Sequence, residues 1–392
     1  MAHPLIAERK QARLLSPGVK QALDEYFIRR AFELAECLMK DGDHGPKSAE
    51  PPVIPHIRAA SRSVVYYGDE FHGSYNHHNQ IGKFKGLYYF AWSNGFRNEE
   101  DAGQRVLVAS SPDGRAWGAP SPVVEAAPGT AWAHNCVALS ADAEHMHVVV
   151  MSEETEHDET VTGMRRIKPE DAYIDVYRSS DGRRFEKAFS YGKGIKWIFE
   201  APRPVAQGGL LCLCTTKKDG PAALLWPDGN MLSMPQVIPI AEPEGAWFPY
   251  GESTWYQLDS GRIMAFWRDE GMSCRLYWNF SDDGGRSWSA PILTDIPDSM
   301  SRAYAGRLAD GRYFLVNNAV PILLDRRALT MLVSDDGACF DKVFMINDSP
   351  AEMRRLGLLK ANGHQYPCCL VDGGRLLVAY DANKEDIMCE VI

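Results

Sequence analysis

SDDGGRSW, residues 281–288, holds the pattern Ser-x-Asp-x-Gly-x-x-Trp, and shortened copies of it return along the chain. They are SPDGRAW at 111–117, SSDGRRF at 179–185 and SDDGACF at 334–340, with a worn copy, WPDGNML, at 226–232. The pattern describes a tight hairpin. The Asp carboxylate accepts turn N–H groups, the glycine takes a positive φ, and the aromatic ring buries between neighbouring sheets. The aspartates Asp113, Asp181, Asp228, Asp283 and Asp336 stand 47 to 68 residues apart, the size of one four-stranded unit. One such turn is common in any β protein. Several in phase predict a β-propeller in which these residues are structural.

A second repeat lies between these turns: a strand, a turn and another strand. It reads HHNQIGKFKGLYYFAW from 77, HNCVALSADAEHMHVVV from 134, EAPRPVAQGGLLCLCT from 200, ESTWYQLDSGRIMAFW from 252, RAYAGRLADGRYFLVN from 302 and HQYPCCLVDGGRLLVAY from 364. Each reads as the inner hairpin of a blade, with the Asp-containing turn in the outer hairpin that follows. Six blades result. The last unit, 364–391, has no such turn and is expected to close the ring by pairing with an N-terminal strand such as RSVVYYG at 62–68. The expected organisation is an N-terminal helical extension over 1–49 and a single propeller domain over 50–392. In the extension, the apolar spacing of 18–40 predicts an amphipathic helix that caps one face. The polar, acidic insertion 152–172 reads as a solvated loop on the rim.

Composition narrows the function. With 45% hydrophobic and 24% charged residues the chain has material for a large core. A net charge of −10 lacks the basic excess that tracks a phosphate backbone, which excludes nucleic acid as a partner. The nine cysteines are scattered without a C-x-x-C pair and read as reduced thiols in strands. No apolar run approaches a membrane span, and the first residues lack a signal-peptide core. The expectation is a cytoplasmic protein without a membrane partner.

Aligned on the turn residues Gly86, Glu144, Gly209, Gly261, Gly311 and Gly374, the inner strands place His77, Asn135, Glu200, Glu252, Arg302 and Gln365 at one register. All six are polar. The next residues, His78, Cys136, Ala201, Ser253, Ala303 and Tyr366, are mixed. Since alternate strand residues face opposite ways, the first set is expected to ring a central pocket and the second to pack. A one-residue shift in the second blade would substitute His134 for Asn135. Arg203, Arg268 and Tyr366 lie close in sequence to the same layer. An imidazole, carboxylates and guanidinium groups suit an anionic, hydroxylated ligand such as a uronic acid.

The segments YNHHNQI at 75–81, FAWSNG at 90–95 and GQRV at 103–106 resemble those of sialidase-like Asp-box propellers. Within that group they are similar to the propeller polysaccharide lyases and rhamnosyl-glucuronate-cleaving enzymes. FEAPR, SRAYAGRLADGRYFLVNN and NKEDI extend the resemblance from about residue 70 to the end. It implies a catalytic role for His77 or His78, and a seven-bladed ring against the six counted from the repeats. True sialidases carry an Arg-Ile-Pro motif early in the domain. None is found here, and Arg58 in IPHIRAA does not match it.

Three functions are compatible with these residues. The leading expectation is β-elimination beside a glucuronate in a small oligosaccharide, with His77 as base, Arg203 and Arg302 on the carboxylate and Tyr366 as acid. The second is a glycoside hydrolase using Glu200 and Glu252. The third is a glycan-binding propeller without catalysis. No cofactor is required by any of them, and a structural or substrate-bridging divalent ion such as calcium is compatible with all three.

Overall fold

The structure, a computed structural model, describes residues 11–39, 53–126, 131–157, 165–167, 172–217 and 220–392. Runs rich in apolar residues, such as Leu87–Gly95, Leu210–Thr216, Ile263–Trp267 and Tyr313–Asn317, form the second strands of antiparallel sheets. Six sheets of four or five strands follow one another along the chain, spanning 75–124, 132–192, 195–239, 253–297, 304–347 and 364–391. Ser61–Tyr66 completes the last by pairing with Asp386–Val391, Arg62 opposite Glu390. The expected closure by an N-terminal strand is therefore observed, and the ring has six blades, not the seven that the resemblance implied.

The core follows from this arrangement. Apolar side chains of each sheet pack on the next, giving six clusters, one between each pair of consecutive blades. Trp92 and Leu377 join the first blade to the last, while Trp267 and Leu213 join the fourth to the third. Pro17–Met39 is a helix, as the spacing predicts, begun by Ser16, whose Oγ accepts the Val19 N–H at 3.3 Å. Its Val19 and Leu23 lie in the apolar cluster between blades four and five, with Leu332, Phe340 and Met345. Residues 1–10 and 40–49 of the expected extension, and 50–52 at the start of the expected propeller domain, lie outside the described residues.

The Asp-containing turns link the third and fourth strands of their blades. Asp181 Oδ1 accepts N–H groups of Arg183 and Arg184 at 2.8 and 2.9 Å, and Ser179 Oγ at 2.9 Å. Asp113, Asp283 and Asp336 repeat the arrangement. The worn copy keeps one such bond, from Asn230 N–H to Asp228.

Two expectations fail. The inner strand of blade one pairs His77 with Ser93 but Gln80 with Ala91, so one residue is extra, and His78 has φ 58°. Blade six does the same between Gln365 and Cys368, with Tyr366 at φ 56°. Such bulges break the alternation of side chains, so His78 and Tyr366 do not belong to a packing set. The insertion also differs from a rim loop. Residues 152–157 continue the second strand of blade two, with Thr155–His157 paired to Arg165–Ile167, and Glu153 is buried. Residues 158–164 and 168–171 lie outside the described residues. Among the described residues, no helix is long and apolar enough to cross a membrane.

Candidate functional site

In an antiparallel inner hairpin, the start of the first strand faces the end of the second, as Asn76 faces Asn94 and Ser253 faces Trp267. Loops that leave the second strands therefore arrive at the same end of the channel as the polar ring. They deliver Glu99 and Glu100 from blade one, Arg268 and Glu270 from blade four, Arg326 from blade five and Lys384 from blade six.

Tyr366 is the meeting point. Its hydroxyl donates to Glu252 Oε1 and accepts from Arg268 Nη1 at 2.8 Å. Arg268 also pairs with the other oxygen of Glu252 and, through Nη2, with Glu270. The Arg326 guanidinium lies 5.4 Å from the Tyr366 ring centre and is held by Gln365 Oε1 at 2.6 Å and Met300 O at 2.5 Å. Lys384 lies over the same ring at 5.6 Å. Burial pushes the Tyr366 hydroxyl well above the usual phenol range, so it is protonated in the resting protein.

His77 packs against Tyr366 with ring centres 3.9 Å apart and planes tilted by 54°, and His78 follows at 4.4 Å from His77. Each has its Nδ1 engaged: His77 with Asp381 Oδ2 at 2.7 Å, His78 with Ser93 Oγ at 3.0 Å. Both Nε2 atoms face Glu99 Oε1, at 3.8 and 3.7 Å. Burial drives the pKa of His77 well below the usual imidazole range and that of His78 to about 4. Burial raises Asp381 to about 8. Burial would also raise Glu99, but Lys384, 2.8 Å away, holds it below the ordinary value.

The other expected residues divide. Arg302 is enclosed beneath Phe199, with Nε and Nη2 unpartnered. Glu200, raised by burial against Arg203 and Arg302, binds Arg203 Nη2 at 2.7 Å. Arg203 spends its guanidinium on the carbonyls of Trp255 and Ala305 at 2.5 and 3.0 Å and stacks on Trp255. That role ties blades together and leaves Arg203 unsuited to the carboxylate contact expected of it. Asn135 bridges Gln104 and Glu153, and His134 bonds Ser152 Oγ at 2.8 Å. Gln365 acts through Arg326.

Glu99, Glu100, Glu153, Arg326, Glu270 and Lys384 are missing from the sequence reading. All but Glu153 sit in loops after second strands. The opposition of strand start and strand end was the signal that would have found them. Burial raises Glu100 well above the carboxylate range and Glu153 to about 7, and the charges of Glu153 and Glu99 add to the effect on Glu100. Lys196 senses both. The hydroxyl of Tyr250, which is partly exposed, is raised first by burial and then by the charges of Glu270 and Glu100. A separate cavity of about 530 Å³ between blades five and six is lined mainly by apolar groups such as Met331, Phe344 and Leu376, and contains none of these residues.

The model of the BNR repeat-like domain matches residues 87–378. The chain belongs to the BNR repeat-like domain family. No curated protein matches it. Among solved structures, this BNR repeat-like chain is similar to a sialidase at 17% identity and TM-score 0.56, over 86% of this chain and 33% of the other. It thus spans a third of that sialidase's length. A Dyadobacter fermentans DSM 18053 protein described as of unknown function aligns at 17% identity and TM-score 0.65, over 86% and 99%. Trypanosoma rangeli sialidase, in complex with 2,3-difluorosialic acid as a covalent intermediate, aligns at 10% identity and TM-score 0.62, over 86% and 59%. These likenesses establish the fold. Glu99, Glu252, Arg268, Arg326 and Tyr366 fall inside the BNR repeat-like match, whereas His77, His78, Asp381 and Lys384 fall outside it.

Proposed function

We propose that this protein cleaves or transfers a glycosidically bound anionic sugar at Tyr366. One observation carries the reading: the buried Tyr366 hydroxyl donates to the Glu252 carboxylate while Arg268 holds both groups. A phenol is a weak nucleophile until a base removes its proton, and Glu252 is positioned to do so as the oxygen attacks an anomeric carbon. Arg268 and Arg326 bring positive charge beside Tyr366, which favours an anionic sugar there. A protonated carboxyl of the Glu100–Glu153 pair then donates to the leaving oxygen, the part that a carboxyl raised by burial plays in glycosidases. Water completes hydrolysis of the glycosyl-tyrosine. The sialidase neighbours support this choice, and a sialic acid, with its carboxylate beside the anomeric carbon, fits the same chemistry.

β-Elimination at a uronate shares the substrate class but asks more of this geometry. His77 has no exposed surface, and Arg203 is committed to backbone carbonyls. The two readings separate by product. Incubation with sialosides and with rhamnosyl-glucuronate oligosaccharides is expected to release saturated sugars, with activity lost in Tyr366→Phe and Glu252→Gln. Appearance of the ultraviolet band of an unsaturated uronate would replace hydrolysis by elimination. Binding without release from any anionic glycoside would leave a lectin-like propeller.

A further inference from the structure

The glycoside reading leaves the two imidazoles beside Tyr366 without a task. Their arrangement is unlike that of histidines that merely fill a core. His77 is fully enclosed, and its Nε2 has no hydrogen-bond partner. A buried bare nitrogen is costly unless something meets it. Its Nδ1 is bound to Asp381 at 2.7 Å, and Asp381 is itself fixed by Asn79 Nδ2 at 3.3 Å and the Lys384 N–H at 2.8 Å. When Nδ1–H donates to this carboxyl, Nε2 keeps its lone pair, the arrangement that surrounds metal-bound histidines. His78 repeats it with Ser93 Oγ, whose second lone pair takes the Cys136 N–H at 2.9 Å. The left-handed backbone at His78 turns this ring to the same side as its neighbour, where strand alternation would have separated them.

Both Nε2 atoms converge on one oxygen, Glu99 Oε1, at 3.8 and 3.7 Å, and the three ligand atoms lie within 4.8 Å of one another. Ligand atoms around a tetrahedral ion with bonds of about 2.0–2.2 Å stand roughly 3.3–3.6 Å apart. The observed spacing is therefore too long for direct hydrogen bonds and close to that of a shared ion. Glu99 is already oriented. Lys384 Nζ occupies Oε2 at 2.8 Å, and the Tyr75 hydroxyl donates to Oε1 at 2.9 Å, leaving one Oε1 lone pair toward the histidines.

We propose that His77, His78 and Glu99 bind a divalent transition-metal ion of the zinc type, with Asp381 and Ser93 as the groups that orient the two imidazoles. Two nitrogen donors and one carboxylate select zinc, cobalt or nickel over calcium and magnesium, which prefer oxygen alone. Three protein ligands leave a fourth position for water or a substrate oxygen. The inference does not depend on the glycoside reading.

The test uses full-length protein without a polyhistidine tag, stripped with a chelator. Zn2+ is titrated by calorimetry and Co2+ by visible absorption. One strong Zn2+ site per chain is expected, with a Co2+ d–d spectrum of low coordination number and Ca2+ binding far weaker. His78→Ala and Glu99→Gln should each weaken the site about 100-fold or more, and Asp381→Asn about 10–100-fold. Glu99→Gln is nearly isosteric, so it decides the matter if His78→Ala fails to fold by circular dichroism. Substitution of His145, beside His147 and Asp142 at the surface, should leave the strong site intact. Absence of a saturable Zn2+ site, tighter binding of Ca2+, or a site unaffected by Glu99→Gln in folded protein would overturn the proposal.

Discussion

The outer Asp-containing turns and the two central bulges are both local departures from regular strand, yet their electrostatics are opposite. At the turns, charge sits at the surface and is answered locally: Asp113 and Asp181 take two N–H groups and a hydroxyl from within four residues. These bonds hold their carboxyls below the ordinary range. At the bulges, polar groups are buried and answered largely from other blades: Tyr366 of blade six meets Glu252 and Arg268 of blade four, and His77 of blade one meets Asp381 of blade six. The first arrangement makes a blade. The second needs the completed ring, and it leaves His77 Nε2, Glu200 Oε1 and two Arg302 nitrogens unpartnered.

The sharpest way to break this contrast is to remove single atoms at the centre. Tyr366→Phe deletes the hydroxyl and is expected to lower kcat by about 10³-fold or more while leaving the fold intact, as loss of a nucleophile does. Glu252→Gln should follow closely. Steady-state kinetics with circular dichroism checks both.

A backbone change beside the centre comes next. Gly251 has φ 62°, and a Cβ there would sit 2.5 Å from the Thr215 nitrogen. Gly251→Ala is expected to shift Glu252, lowering kcat by about 10-fold to 100-fold and the melting temperature together. An unchanged kcat would mean that the position of Glu252 does not matter.

The buried carboxyls give the centre a pH signature that the turns lack. Glu153 has its folded pKa raised to about 7 by burial, against an ordinary 4.5. Its proton therefore favours the folded state below pH 4.5, and that contribution is lost as pH rises through 7. Glu153→Gln should flatten the decline in melting temperature between those values. The turn aspartates act in the other direction. Their contribution is present above the ordinary carboxylate range and disappears only in acid.

The smallest effect belongs to a single turn. Asp283→Ala removes the bonds to Ser281, Arg286 and Ser287 and should cost about 1 kcal/mol of stability with unchanged kcat. A loss of activity without a loss of stability would mean that these turns reach the site.

This contrast also explains what could be read in advance. The Asp-containing turns and inner hairpins are local, so their spacing alone yields six blades and even the strand that closes the ring. Register on the turn glycines brings Glu252 and His77 to the channel. It fails at His78 and Tyr366 because a bulge needs no glycine when the surrounding ring enforces the left-handed backbone. It fails at Arg203, whose partners are carbonyls of the next two blades. Arg326, Glu99 and Lys384 escape it because they lie in loops of unequal length, outside any repeat. Glu153 escapes it because an acidic segment reads as solvated until its partners Asn135 and Glu100 are known.

The central claim is that Tyr366 is the atom carrier of the reaction, and covalent capture tests it most directly. Protein is incubated with 2,3-difluorosialic acid, then digested and analysed by mass spectrometry, with Tyr366→Phe alongside. The account predicts a glycosyl adduct on the peptide containing Tyr366, absent from the variant and slow to form in Glu252→Gln. An adduct on Glu200 or Glu252, or sialoside turnover that persists undiminished in Tyr366→Phe, would contradict it.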